Sequence, residues 1–157
     1  MAVLQAHPAM GGTLFDLAQG LAGAAEKLAS GGVGDRVTLQ EGSFFEAVPP
    51  GADVYLLKSI VHDWDDERAL AILQNCARAM HPSSRLVILE RKLPERIESP
   101  EDAFTTVMGD VHMMVVLGGK ERTTNQYRDL LAQAGLRMTS EIPIEGDITA
   151  FEAVIAG

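Results

Sequence analysis

The sequence contains one cysteine, Cys76, so no disulfide can form within the chain. A reducing, cytoplasmic setting fits that usage. Cys76 falls within a helical apolar pattern and reads as a small buried hydrophobe rather than a nucleophile. No uninterrupted apolar run approaches membrane-spanning length. The first ten residues, MAVLQAHPAM, have neither a basic segment nor a long apolar core, so a signal peptide is not expected. Basic residues are scarce. Lys and Arg number 13 against 22 Asp and Glu, giving a formal net charge of -9. Phosphate backbones and anionic lipid would repel such a chain, so neither nucleic acid nor a membrane surface is expected as a partner. There is no internal repeat, low-complexity tract or inter-domain linker. No His, Cys, Asp or Glu cluster has convincing metal-ligand spacing.

What is present is a globular composition, 46% hydrophobic and 22% charged over 157 residues. This is the size of one ordinary domain, and one domain is the simplest count. Short β-branched runs alternate with helical patterns, the mark of a layered α/β fold. Strands are predicted at 13–17, 36–40, 53–57, 85–90, 137–144 and 149–155. DVYLL (53–57) and RLVIL (85–89) are nearly continuous apolar runs and predict strands buried on both faces. Glu145, Gly146 and Asp147 form a turn-prone link between the last two strands, predicting a terminal antiparallel hairpin at the sheet edge. The clearest helix is 65–80, where Ala69, Leu73, Cys76 and Met80 make one apolar stripe. Asp65, Asp66 and Glu67 crowd its first turn, where the helix dipole favours negative charge. A second helix is predicted at 125–134, with Thr123 and Gln126 at capping-box spacing and Gly135 as its C-terminal cap. Further helices are predicted at 18–29 and 100–117, and a loop at 30–34.

The most informative stretch is LLKSIVHDWDDE (56–67), which runs from the end of a predicted buried strand into a helix start. In open α/β sheets, ligands bind at that carboxyl edge. His62 is the natural general base there, because an imidazole titrates near neutrality. Trp64 offers a flat stacking surface. Taken alone, a histidine after a strand is more often structural, and a tryptophan more often core packing.

LLKSIVHDWDDE closely resembles the signature of a large O-methyltransferase family that includes plant caffeate-type and bacterial polyketide-tailoring enzymes. LFDL (14–17), GSFFEAVP (42–49), RLVILERKLPE (85–95) and GGKERT (118–123) resemble further segments of that family, in the family's order. The resemblance covers essentially the whole chain. It implies a Rossmann-like class I methyltransferase fold, with a mostly parallel sheet, a C-terminal antiparallel hairpin and S-adenosylmethionine as cofactor. It implies that Asp16 holds the cofactor ribose, that Ser43, Phe44, Asp63 and Trp64 border the adenine, and that Lys58 approaches the cofactor's polar end. His62 would deprotonate a substrate hydroxyl, with Glu90 and Glu121 orienting it and stabilising the imidazolium. Asp110, Met113 and Met114 would line the pocket of a small hydroxylated acceptor of aromatic or polyketide type. His112 is given no role.

The chain also departs from the family pattern. It begins without the family's N-terminal dimerisation domain, and without the first strand and its glycine-rich loop. Residues 1–157 therefore read as a partial catalytic domain, and MAVLQAHP as the end of the helix that follows the missing loop. GGVG (31–34) follows a helix rather than a strand, so it is no replacement. Without the first strand, the strands 13–17 and 53–57 each lack a neighbour, and unsatisfied buried backbone groups are costly. Three arrangements remain open: a piece of a longer enzyme, completion by a second copy or complementing chain, or direct pairing of the two strands. The rival readings are a non-catalytic remnant or partner subunit, and a related tailoring enzyme, hydroxylase-like, that kept the fold and changed its chemistry.

Overall fold

The structure is a computed structural model, and it describes residues 1–96, 119–144 and 148–157. They form two compact units, Met1–Pro49 and Pro50–Gly157. The predicted helix 100–117 lies outside the described residues, and with it Asp110, His112, Met113 and Met114. So do Gly118 and the expected turn at Glu145, Gly146 and Asp147.

The first unit contains helix α1 (Ala2–Ala6), strand β1 (Gly12–Asp16), helix α2 (Ala24–Ser30), a 3-10 turn (Gly34–Arg36) and strand β2 (Val37–Glu41). β1 and β2 run parallel, from Gly12 opposite Val37 to Asp16 opposite Glu41. The Arg36 guanidinium donates at 2.7 Å to the carbonyl of Leu4, in the last turn of α1, and at 2.7 Å to that of Met10, in the segment before β1. Arg36 belongs to the 3-10 turn, so β2 starts one residue later than expected. The predicted helix 18–29 forms only from Ala24 onward. Gly23 sits at φ 74, in left-handed geometry that interrupts a right-handed helix, and the preceding residues close as turns through Gly20 N–H to Leu17 O at 2.9 Å.

The second unit contains β3 (Val54–Lys58), a 3-10 turn (Val61–Asp63), α3 (Asp66–Ala79), β4 (Arg85–Arg91), α4 (Thr124–Gln133), β5 (Leu136–Pro143) and β6 (Ile148–Ile155). The strand order is β3-β4-β6-β5. β3 and β4 are parallel, while β6 runs antiparallel to both β4 and β5. The C-terminal strands thus form the expected antiparallel pair, with β6 drawn inside the sheet and β5 at its edge.

Side-chain alternation builds the core from one face of this sheet. Tyr55 stands beside Leu86, and Leu86 beside Ala153; Ile88 stands beside Phe151, and Glu90 beside Thr149. Tyr55, Leu86, Ile88, Phe151 and Ala153 are buried together with Ile72, Leu73 and Cys76 of α3 and Tyr127 and Leu131 of α4. The Tyr127 ring stacks on Phe151 with centroids 4.7 Å apart. Burial pushes the Cys76 thiol up to about 12, which suits its reading as a hydrophobe.

The expectation of strands covered on both faces is corrected for β3. Val54 and Leu56, on the other face, are 48% and 52% exposed. A continuous apolar run records that both faces avoid water, but it does not say which segment covers each one. β1 and β3 belong to different sheets, so direct pairing of these two strands is not the arrangement found.

Both long helices begin at side-chain caps. The Asp65 carboxylate accepts from Arg68 N–H at 2.9 Å. At α4 the box is reciprocal: Gln126 N–H donates to Thr123 Oγ1 at 3.3 Å, and Thr123 N–H donates to Gln126 Oε1 at 2.8 Å. Gly135, at φ 79, follows the last turn of α4. Among the described residues no helix is long and apolar enough to cross a membrane. Thr123→Ala removes the hydroxyl half of the capping box and is expected to cost about 1 kcal/mol, read as a lower midpoint in urea unfolding with an unchanged slope.

Candidate active site

The site begins where β3 ends. Ser59 has φ 53, the one left-handed non-glycine residue among those described. Such a conformation costs a side-chain-bearing residue roughly 1–2 kcal/mol and persists only where its surroundings hold it. Here the hold is Glu90, at the end of the neighbouring strand. One oxygen, Glu90 Oε1, accepts from the backbone N–H groups of Ile60 at 2.9 Å, Val61 at 2.8 Å and His62 at 3.4 Å. Successive N–H groups converging on one anion form a concave nest, and here a buried carboxylate fills it. The Glu90 side chain is fully buried. Burial pushes its carboxyl above the ordinary range, against the opposing pull of the His62 charge and of the three backbone donors.

This turn carries His62 into a ring of carboxylates. Its Nδ1 lies 3.2 Å from Glu121 Oε1 and 3.5 Å from Glu90 Oε2. Its Nε2 lies 3.3 Å from Asp63 Oδ1. The ring is only 16% exposed. The hydrogen bond to Glu121 raises the imidazole pKa most. Burial opposes it, and the charges of Glu90, Glu121 and Asp63 add to it, so His62 holds its proton above the ordinary imidazole range. The structure therefore brings together the three residues, His62, Glu90 and Glu121, that come from three separate sequence motifs.

Sequence reasoning missed the brace behind the turn. Arg122 is fully buried. Its guanidinium donates to Val61 O at 2.9 Å, to Trp64 O at 2.8 Å, and twice to Asp66 Oδ1, at 3.0 and 2.9 Å. Lys120 adds its backbone N–H to His62 O at 3.0 Å and its ammonium to Asp66 Oδ2 at 2.6 Å. Asp66 thus does more than decorate a helix start. Burial pushes its carboxyl upward, but hydrogen bonds from Lys120 and Arg122 outweigh that and hold it below the ordinary range. Gly119 fits closely against the same turn, where an added Cβ would fall 2.0 Å from His62 O. The charge match between the acidic run at 65–67 and the basic residues of GGKERT was the available signal.

The remaining expected site residues are placed as follows. Asp16 ends β1 with its carboxylate exposed, accepting from Leu17 N–H at 2.7 Å. Gly42 N–H donates to Asp16 O at 3.0 Å, which joins the exit of β2 to the end of β1. The half-buried Ser43 and Phe44 follow, with the Ser43 hydroxyl accepting from Phe45 N–H at 3.3 Å. Gly42 has no room for a side chain, since an added Cβ would lie 2.5 Å from the Phe15 ring. Lys58 is the exposed last residue of β3. Trp64 is half-buried, with the Arg68 guanidinium 5.2 Å from its ring centroid. Asp63 stands next to the imidazole, with its Oδ1 3.3 Å from His62 Nε2. Among the described residues no group of His, Cys, Asp and Glu could hold a metal ion.

Residues 1–137 match the profile of the O-methyltransferase domain family. The chain is 40% identical over 152 residues to the phenazine O-methyltransferase PhzM of Lysobacter antibioticus, covering 97% of this chain and 43% of that protein. It is 38% identical over 154 residues to the aclacinomycin 10-hydroxylase RdmB of Streptomyces purpurascens, covering 94% of this chain and 41% of that one. The crystal structure of NcsB1, an O-methyltransferase of neocarzinostatin biosynthesis, was solved with S-adenosylmethionine and 2-hydroxy-5-methyl naphthoic acid. It superposes with a TM-score of 0.86 at 32% identity, over 98% of this chain and 44% of that one. The chain spans less than half the length of these relatives. With its class I fold elements and its five motifs in family order, the chain belongs to the O-methyltransferase domain family.

Proposed function

We propose that this chain carries the general base and part of the cofactor site of an S-adenosylmethionine-dependent O-methyltransferase. Its acceptor would be a small hydroxylated molecule of aromatic or polyketide type. Residues 1–157 correspond in this reading to part of the catalytic domain, in a cytoplasmic enzyme. The observation that carries it is the half-buried His62 imidazole, with Nδ1 within 3.5 Å of both Glu121 and Glu90.

The side chains fit the cofactor. The exposed Asp16 carboxylate, an acceptor-only group, suits a ribose diol. Within the first unit, the Phe44 ring suits a purine face and the Ser43 hydroxyl its polar edge; within the second, the Trp64 indole and the Asp63 carboxylate suit the same chemistry. The Lys58 ammonium suits a carboxylate. When bound, S-adenosylmethionine supplies an electrophilic methyl group. Nδ1 of His62 is engaged by Glu121 and Glu90, so Nε2 is the atom left to accept the hydroxyl proton. Asp63, 31% exposed and 3.3 Å from Nε2, is the group an entering acceptor would displace. Glu121 and Glu90 then stabilise the imidazolium, the role of an orienting acid behind a base.

The hydroxylase among the relatives favours one second reading, in which the fold is kept and the chemistry altered. Mass spectrometry of the product separates the two, since one adds a methyl group and the other an oxygen atom.

Three outcomes are expected. Isothermal titration of the chain with S-adenosylmethionine gives a binding isotherm that Asp16→Ala weakens; no binding by the unaltered chain would sink the cofactor assignment. Methyl transfer to a hydroxylated arene falls by about 10²–10⁴ in His62→Ala, and full retained activity would remove His62 from the mechanism. The third concerns pH. A base must be neutral to act, and His62 holds its proton above the ordinary value of roughly 6.5, so kcat/KM rises with pH through a midpoint above that value. Glu121→Gln deletes the largest upward influence and moves that limb to lower pH. The same shift stabilises the fold below the unfolded value of about 6.5 and is lost as pH climbs through the folded value, so Glu121→Gln also flattens this part of the stability profile.

A further inference from the structure

We propose that Arg122 is the positioning residue of the site: its guanidinium grips both ends of the Val61–Asp63 turn and so fixes the His62 imidazole against Glu121 and Glu90. The inference rests on the reading of His62 as the base.

The geometry is that of a clamp. Val61 O lies at the entry of the turn and Trp64 O just beyond its exit. A single planar fork reaches both, at 2.9 and 2.8 Å, through different terminal nitrogens. The same fork is anchored on the far side by two bonds to Asp66 Oδ1 in the first turn of α3, which fixes its plane. A weaker bond from Nη1 to Lys120 O, at 3.3 Å, ties the guanidinium to its own segment of chain. Only arginine offers donors in a rigid plane for this many acceptors; an ammonium on a flexible stem meets fewer of them, one at a time. Glu121, whose carboxylate holds Nδ1, is the residue next to Arg122. The clamp and the orienting acid therefore move as one unit. Glu90 holds the N–H groups of the turn from one side while Arg122 holds its carbonyls from the other, so neither peptide direction is free.

Two effects of removing Arg122 have opposite sign, which makes the inference testable. The charged groups facing His62 are Glu121 and Glu90 at Nδ1 and Asp63 at Nε2, with Arg122 behind the turn. Loss of a nearby cation, taken alone, raises an imidazole pKa. Loss of position separates His62 from its carboxylates and lowers it.

The experiment is an NMR titration of the His62 ring in the full chain without cofactor. It uses the unaltered protein, Arg122→Ala, Arg122→Lys and Asp66→Asn, with circular dichroism to establish folding. The unaltered chain is expected to titrate above the ordinary imidazole value. Arg122→Ala and Arg122→Lys are expected to shift the midpoint down toward that value, with Asp66→Asn giving a smaller shift in the same direction. If Arg122→Ala does not fold, the lysine and asparagine variants carry the test, since Lys keeps the charge and Asp66 is 58% exposed. A midpoint unchanged or raised in the folded variants overturns the proposal. Full retention of the raised midpoint in Arg122→Lys likewise overturns the clamp, because charge alone would then suffice. No methyl transfer enters this readout, so the proposed activity could fail while the clamp stands, or the reverse.

Discussion

The second unit depends on one buried carboxylate. Glu90 stands in the same row as Leu86 and Ile88, on the core face of β4, and its side chain is inaccessible to solvent. A carboxylate there is costly unless donors replace its water. The replacement comes from the neighbouring strand: β3 ends, Ser59 turns left-handed, and three consecutive N–H groups face Glu90 Oε1. The exchange is mutual. The turn has no regular partner for those donors, and the carboxylate has no water. Each removes the penalty of the other, and the strained Ser59 conformation is the local cost of their meeting.

Once Glu90 is committed in this way, the chemistry of its neighbours follows. Oε1 is occupied by backbone, so Oε2 is the oxygen presented to His62. Glu121 takes the same ring nitrogen from another segment. Two carboxylates at one imidazole edge would repel each other strongly at low dielectric. The buried Arg122, two bonds from Asp66 and adjacent in sequence to Glu121, supplies permanent positive charge on the same segment. His62 supplies the remainder when protonated. The ring favours its charged form despite burial because it hydrogen-bonds Glu121 and faces the charges of Glu90, Glu121 and Asp63.

Much of this was legible in the sequence, and the omissions have separate causes. The strands β1 to β6 start and end within a residue of their predicted bounds, and both capped helices form at their caps, because periodicity and capping are local properties. His62, Glu90 and Glu121 were found through motif resemblance, and their convergence needs only the parallel pairing of β3 and β4 plus one crossing segment. Helix 18–29 was overextended, since a run of alanines and leucines outweighed Gly23, whose left-handed φ emerges only in context. Arg122 was missed for a different reason, since only its pairing with Asp66 left a signal in the sequence, as a charge match. Its acceptors at Val61 and Trp64 are backbone oxygens, present at every residue, so no residue identity announces them.

The three acids around His62 set a trade between supply and strength of base. Holding the proton more tightly leaves less neutral imidazole at a given pH, which slows any step that needs the free base. It also makes each neutral imidazole a better proton acceptor. A phenolic hydroxyl ionises near a pKa of 10, well above an ordinary imidazole, so the proton runs uphill in its transfer. Raising the base narrows that gap. In the proposed role the gain is largest for weakly acidic hydroxyls and smallest for activated ones, whose protons leave readily to any base. Asp63, 31% exposed, adds to the raised proton affinity, and in the proposed role an entering acceptor would displace it. In the proposed role, a hydroxyl arriving at Nε2 would take away one of the charges that raise the proton affinity of the ring.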